Sequence, residues 1–160
     1  MGEVLTLETA VRRRAASRVR GQTYVVTNGC FDLIHPGHVA LLREARAQGH
    51  YLLVAINSDR STRRLKGEGR PVQDEAARAE VLAAMADVDG VIVFDEETPA
   101  LVIEALRPDV LVKGGDYAPD QVVGRDVVER GGGRVHIVAL VPGRSSSALA
   151  ERLGGKSPAR

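Results

Sequence analysis

Five apolar, largely β-branched runs recur along the chain: Thr23–Val26, Tyr51–Ile56, Val88–Phe94, Asp109–Lys113 and Val135–Val141. An unbroken run such as Tyr51-Leu52-Leu53-Val54-Ala55-Ile56 is what a central parallel strand carries when both its faces are covered. The segments between the runs show helical spacing instead. Val39, Leu41, Leu42 and Ala45 mark a helix over Val39–Ala47, and Ala77, Val81, Leu82 and Met85 mark one over 74–86 with Asp74 as its cap. Further helices are expected from Thr98 through Leu106, where Pro108 stops the pattern, over 121–130, which Gly131 to Gly133 break, and over Ala148–Leu153. Residues 1–21 read as an N-terminal helix capped by Thr6 or Thr9 and ended by Gly21. Strand, helix and strand in this alternation predict right-handed βαβ units. The expected fold is therefore α/β, a Rossmann-like three-layer sandwich with a five-stranded, mainly parallel sheet. Ligands of such sheets sit at the carboxyl ends of the strands, which places Asn57, Ser58 and Asp59 on the functional edge.

Composition narrows the picture. The chain has 160 residues, room for one domain with its own core, here expected over 22–153 with a disordered tail over 154–160. Its formal net charge is +1 and it has no Trp, two Phe and three Tyr, so neither a nucleic-acid surface nor a base-stacking platform is expected. A single cysteine excludes an intramolecular disulfide framework. No apolar run is long enough to cross a membrane, and the N-terminus lacks a signal peptide's hydrophobic core, so the expected location is the cytoplasm. Arg12, Arg13, Arg14, Arg18 and Arg20 make the first helix basic, a solvated face or a partner surface.

The densest chemistry lies in Thr27-Asn28-Gly29-Cys30-Phe31-Asp32-Leu33-Ile34-His35-Pro36-Gly37-His38, between the first strand and the next helix. A helix start offers unpaired N–H groups and the positive end of the dipole, an anion site. Gly29 lets the backbone approach a ligand, and Pro36 fits the first turn. His35 and His38, three apart, present two imidazoles able to donate to phosphate oxygens. Taken singly, Asp32 is also a turn cap, and the two histidines are also surface residues or zinc ligands lacking a spaced third ligand. Cys30 reads as a filler of a small buried slot, because no motif supplies it with a base. Downstream, Ser61 to Val72 is basic and glycine-rich, either a mobile surface loop or a lid that closes Lys66 over a polyphosphate, and Arg78 sits on the helix that follows. Gly114 and Gly115 after the fourth strand, with Asp116 as acceptor, form a ligand approach or a plain tight turn. Ser145, Ser146 and Ser147 open the last helix, as a cap or as a second phosphate contact.

Together these strings resemble the H-x-G-H nucleotidyltransferases, over about residues 22 to 153, and within them the cytidylyltransferase-like branch. Arg64-Leu65-Lys66-Gly67 with Gly69-Arg70-Pro71-Val72, Thr98-Pro99, and Leu111-Val112-Lys113-Gly114-Gly115-Asp116-Tyr117 resemble the branch that forms ADP-heptose from D-glycero-β-D-manno-heptose 1-phosphate and ATP. The resemblance implies roles. His35 and His38 would bind nucleotide phosphates and stabilise the transition state, and Lys66 would neutralise the α-phosphate. Gly29, Cys30 and Phe31, Arg78, and Gly143 with Ser145 to Ser147 would meet the phosphates. Asp32, Asn57, Asp59, Lys113, Gly114, Gly115, Asp116 and Tyr117 would contact sugar phosphate or nucleoside. Arg144 stands where the family usually has an uncharged residue. Mg²⁺ is expected with ATP, and no protein-held metal. A homo-oligomer, a dimer, is implied, as is a stand-alone form working downstream of a separate heptose kinase in lipopolysaccharide inner core assembly. The rival readings are a CTP-dependent transferase acting on glycerol 3-phosphate or a related alcohol phosphate, and a non-catalytic nucleotide-binding module.

Overall fold

Val25 and Val26 are neighbours on one strand, yet they belong to different hydrophobic cores, and so do Leu52 and Leu53 on the next. That alternation within unbroken apolar runs is the signature of a sheet buried on both faces. The computed structural model describes residues 1–115, 117–139, 141–143 and 145–154. In chain order the elements are β1 (Glu3–Val4), α1 (Leu7–Val19), β2 (Tyr24–Gly29), α2 (Pro36–Arg46), β3 (Tyr51–Asn57), α3 (Asp59–Lys66), α4 (Glu75–Ala83), β4 (Gly90–Phe94), α5 (Ala100–Leu106), β5 (Val110–Gly114), α6 (Arg125–Arg130), β6 (Arg134–Val138) and α7 (Ser146–Gly154).

The strands order β1-β4-β3-β2-β5-β6 and every pairing is parallel. One face of the sheet packs Leu42 and Ala45 of α2 and Ala79 and Leu82 of α4. The other packs Ala10 of α1, Ile103 and Leu106 of α5 and Val128 of α6. After β2 the chain steps outward to β3 and β4, then returns to pair β5 on the far side of β2, with Val25 opposite Val110 and Thr27 opposite Val112. The order therefore reverses between β2 and β5, and the crevice at their carboxyl ends is where such sheets take ligands.

Three expectations change. The sheet has six strands rather than five, because Glu3 and Val4 pair with Gly90 and Val91 of β4. A two-residue edge strand carries no periodicity to read, and it shortens the N-terminal helix to Leu7–Val19. Thr6 rather than Thr9 is the cap, its Oγ1 accepting from the Thr9 N–H. Second, the basic segment from Ser61 is helical as far as Lys66, because Ser58 caps α3 by accepting from the Ser61 N–H at 3.0 Å. Only Gly67 onward is loop, and its Arg70–Pro71 bond is cis. Third, Gly154 belongs to α7, and only 155–160 of the expected tail lie outside the described residues.

Three arginines of α1 have structural partners. Arg14 is buried, and its guanidinium donates to the carbonyls of Leu106 and Arg107 and to both oxygens of Asp109. Arg12 and Arg13 pair with Glu8 and Glu3. Among the described residues no helix is long and apolar enough to cross a membrane.

Candidate functional site

A cavity of about 600 Å³ opens at the carboxyl ends of β2 and β5, within the usual size range for a small-molecule site. Its wall brings together Gly29, Cys30, Phe31 and Asp32 from the β2 loop, His35 and His38 from the start of α2, and Asn57 from the end of β3. Lys66, Lys113, Gly114 and Tyr117, with Ser145 before α7 and Ser146 and Ser147 in it, add to the polar lining.

The β2 loop is tightly wound. Phe31 and Leu33 adopt left-handed backbone angles, φ 49° and 52°, which non-glycine residues rarely hold unless their surroundings impose it. Here the surroundings do. Phe31 is buried in the core, and its ring tilts against the His38 ring with centroids 5.1 Å apart. A side chain at Gly29 would meet that same Phe31 ring at 3.2 Å.

His35 is the N-cap of α2, and its Nδ1 accepts from the Gly37 N–H at 3.1 Å. His38, one turn on, accepts from the His35 backbone N–H through its own Nδ1 at 3.4 Å. This reciprocal cap changes how the site can hold an anion. The sequence predicts unpaired backbone N–H groups at the helix start. Instead Pro36 has none, Gly37 donates to the His35 ring, and His38 and Val39 donate to the His35 carbonyl. The donors pass to the imidazoles. With both Nδ1 atoms accepting, the hydrogen-bond network assigns the ring proton of each histidine to Nε2. The rings stack with centroids 3.9 Å apart. Burial, reinforced by His35, pushes the His38 pKa down to about 4, so His38 is a neutral donor at physiological pH.

Lysines supply the charge. Lys66 ends α3, and Lys113 is the penultimate residue of β5, with its ammonium 5.6 Å from the Tyr117 ring centre. Burial above all, with Lys66 adding, holds the Lys113 pKa below the usual lysine range despite the opposing influence of Cys30. Among the described residues the Lys113 ammonium has no hydrogen bond or ion pair, a cation kept beside a cavity without an internal counter-ion. Gly115 holds φ 133°, and a side chain there would meet the Tyr117 ring at 2.9 Å. At the opposite rim Ser145 Oγ accepts from the Ala148 N–H, a capping contact that opens α7. Cys30 places its thiol 3.7 Å from Asn57 Oδ1.

Four residues named from sequence, Arg78, Asp59, Gly143 and Gly115, lie off the cavity wall. Arg78, expected at the phosphates, is fully buried and off the cavity wall. Its guanidinium donates to the carbonyls of Gln73, Cys30 and Asn57 and to Asp59 Oδ1, so it fastens the β2 loop from below. Asp59 is turned to that arginine and is likewise off the wall. Gly143, in a left-handed turn at φ 72°, is off it too. Asp32 lies on the wall, but its carboxylate holds the loop after α3, accepting from Arg70 Nε at 2.7 Å and from the N–H groups of Val72 and Gln73 at 2.8 and 3.1 Å. Asp116 and Arg144 fall outside the described residues.

Sequence reasoning passed over Arg70, which lines the cavity, and the apolar wall of Leu41, Val122, Val138 and Val141. In sequence Arg70 is one more arginine in a basic, glycine-rich segment. The valines carry no signature, since a pocket valine and a core valine read alike.

A cytidylyltransferase-like family model matches residues 26–141. The chain is 57% identical over 148 residues to the bifunctional protein HldE of Azorhizobium caulinodans, covering 92% of this chain and 31% of that protein. With the bifunctional protein HldE of Syntrophotalea carbinolica it shares 56% over 136 residues, 85% of this chain and 28% of that one. The chain thus spans about a third of the length of the curated relatives it matches. Among solved structures, the lipopolysaccharide core biosynthesis protein from Thermoplasma volcanium aligns with TM-score 0.62 and 29% identity, over 76% of this chain and 98% of that one. Pantothenate synthetase from Thermus thermophilus aligns with TM-score 0.60 over 99% of this chain and 68% of that one, at 16% identity, a likeness of fold.

Proposed function

The chain belongs to the cytidylyltransferase-like family of nucleotidyltransferases, and we propose that it transfers AMP from ATP to D-glycero-β-D-manno-heptose 1-phosphate, releasing pyrophosphate and forming ADP-heptose. The observation that carries this reading is the His35–His38 pair, two stacked imidazoles with their ring protons on Nε2 at the wall of a cavity that also holds Lys66 and Lys113. Such a site binds and stabilises phosphate charge and offers no activated nucleophile of its own.

A phosphate oxygen of the acceptor attacks the α-phosphorus of ATP in line. The bond from the α-phosphorus to the bridging oxygen breaks, and pyrophosphate carries away the electron pair. No covalent enzyme intermediate is required. The protein positions the two phosphates and stabilises the charge that builds on the α-phosphoryl oxygens. His38, neutral and preorganised by the cap, donates to that charge, with His35 beside it. Lys66 and Lys113 neutralise the remainder. The hydroxyls at the start of α7 meet the departing phosphates. The apolar wall around Val122 and Val138 accepts the flat faces of base or sugar.

Among the described residues no group of three or more His, Cys, Asp or Glu side chains is placed to hold a metal ion. On this reading Mg²⁺ enters with ATP and screens the triphosphate.

The choice of heptose rests on the string from Leu111 to Tyr117, and it is supported by the likeness to HldE proteins and to a lipopolysaccharide core biosynthesis protein. On this reading the protein acts in the cytoplasm, as a dimer, after a kinase has made the sugar 1-phosphate. Pyrophosphate release measured with heptose 1-phosphate, Mg²⁺ and each of ATP, CTP and GTP tests it. Release with ATP alone is expected. Release with CTP alone would keep the chemistry and overturn the adenylyl assignment, and ATP binding without release would leave a nucleotide-binding module.

A further inference from the structure

Arg70 is held in a way that a purely structural arginine is not. Its side chain is 11% exposed, and Nε donates to Asp32 Oδ2 at 2.7 Å across a carboxylate that is itself fully buried. The same carboxylate takes the Val72 and Gln73 N–H groups, so the loop from Gly67 to Gln73 is pinned to the β2 loop at one point. The two terminal nitrogens of Arg70 have no hydrogen-bond partner among the described residues. Nor are they sealed off, because the one fully buried, unpartnered side-chain polar atom among those residues is Thr27 Oγ1. Arg70 also lines the cavity that contains His35, His38, Lys66 and Lys113.

Arg78 shows the alternative. That guanidinium is fully enclosed, and it donates to three carbonyls and a carboxylate. Buried polar groups are normally satisfied within the protein, and a nearly enclosed guanidinium with two open nitrogens is the exception. Fixing Nε on a carboxylate orients the planar fork, and the Nη edge then matches two oxygens of one phosphate.

We propose that Arg70 binds a substrate phosphate through its two terminal nitrogens, and that Asp32 is the positioning residue that aims it. The inference rests on the cavity being the substrate site, as proposed above. It gives the cationic loop arm to Arg70, moves the phosphate role away from Arg78, and makes Asp32 an orienting group rather than a substrate ligand. The phosphate belongs either to the nucleotide or to the sugar 1-phosphate acceptor, and each can be titrated alone because neither turns over without the other.

The test titrates the 160-residue chain with tripolyphosphate, with ATP and Mg²⁺, and with heptose 1-phosphate, for wild type, Arg70→Gln, Arg70→Lys and Asp32→Asn. Arg70→Gln is expected to weaken at least one of the three by about tenfold or more. Loss with ATP and tripolyphosphate assigns the nucleotide's phosphates, and loss with heptose 1-phosphate alone assigns the acceptor's. Arg70→Lys keeps the charge without the fork and is expected to recover only part of the loss. It also serves as the folded variant if the glutamine form is too unstable. Asp32→Asn should weaken the same ligand, and the double variant should be no worse than Arg70→Gln. Affinities within twofold of wild type for all three ligands in both Arg70 variants, with only the melting temperature lowered, would overturn the proposal and leave a structural ion pair. A wild-type protein that binds tripolyphosphate through Arg70 but neither substrate would uphold the phosphate site and sink the proposed reaction. A wild type that binds none of the three overturns both.

Discussion

His35 and His38 cap the same helix reciprocally, and their rings stack with centroids 3.9 Å apart. Each Nδ1 is engaged by a backbone N–H, so the acidic face of both imidazoles is Nε2. The arrangement makes two side chains, rather than the open end of the helix, the hydrogen-bond donors of the site.

Removing one preorganised donor of this kind typically costs on the order of 10²–10³ in rate. His38→Ala is therefore expected to lose about that factor in kcat while its far-ultraviolet circular dichroism stays that of wild type. A turnover within a few-fold of wild type would take the histidine out of the chemistry.

His38 also sets a pH dependence of stability. Burial and the neighbouring His35 hold its folded pKa at about 4, while the unfolded chain takes up that proton near pH 6.5. The unfolded state binds more protons between these values, so the contribution is fully present above about pH 6.5 and is lost as pH falls toward about 4. Urea midpoints of the ligand-free protein at pH 7 and pH 5 should differ, and the difference should shrink in His38→Gln. An unchanged difference would mean that other groups carry it.

Arg78 is a keystone of the loop. Arg78→Met leaves Asp59 without its partner and strips donors from the carbonyls of Cys30, Asn57 and Gln73. The carbonyls lose their donors while Asp59, one-third exposed, keeps part of its hydration, so the cost is expected at about 2–3 kcal/mol, read as a clear fall in the denaturant midpoint. Wild-type stability combined with lost ATP affinity would return Arg78 to the phosphates.

Lys113 is an ammonium that burial disfavours, held at the cavity wall. Lys113→Met is expected to raise the melting temperature of the ligand-free protein by about 2–4 °C and to lower kcat/KM by at least about tenfold. Gain of stability with full activity would show that the lysine does not meet substrate.

The strands and the histidine loop could be read from the chain because each carries a strong local signal: unbroken apolar runs for β2, β3 and β5, and Gly29 with His-Pro-Gly-His for the site. Edge strand β1 could not, since two residues have no period. The charges of α3 and the glycines after it masked its helix, although Ser58, whose Oγ accepts from the Ser61 N–H, is a cap three residues ahead. The arginines are the instructive case. Arg78 and Arg70 look alike in sequence, and only three-dimensional hydrogen bonding shows that the first is enclosed by carbonyls while the second keeps its outer nitrogens open at the cavity.

The most direct test of the proposed reaction follows the oxygen atoms. Heptose 1-phosphate labelled with ¹⁸O in its non-bridging phosphate oxygens would be incubated with ATP and the enzyme, and the products analysed by mass spectrometry and ³¹P NMR. Attack of the acceptor phosphate on the α-phosphorus predicts ADP-heptose that keeps all of the label, one labelled oxygen bridging its two phosphorus atoms, and unlabelled pyrophosphate in equal amount. Label in the pyrophosphate, or a product lacking a labelled bridge, would contradict the mechanism.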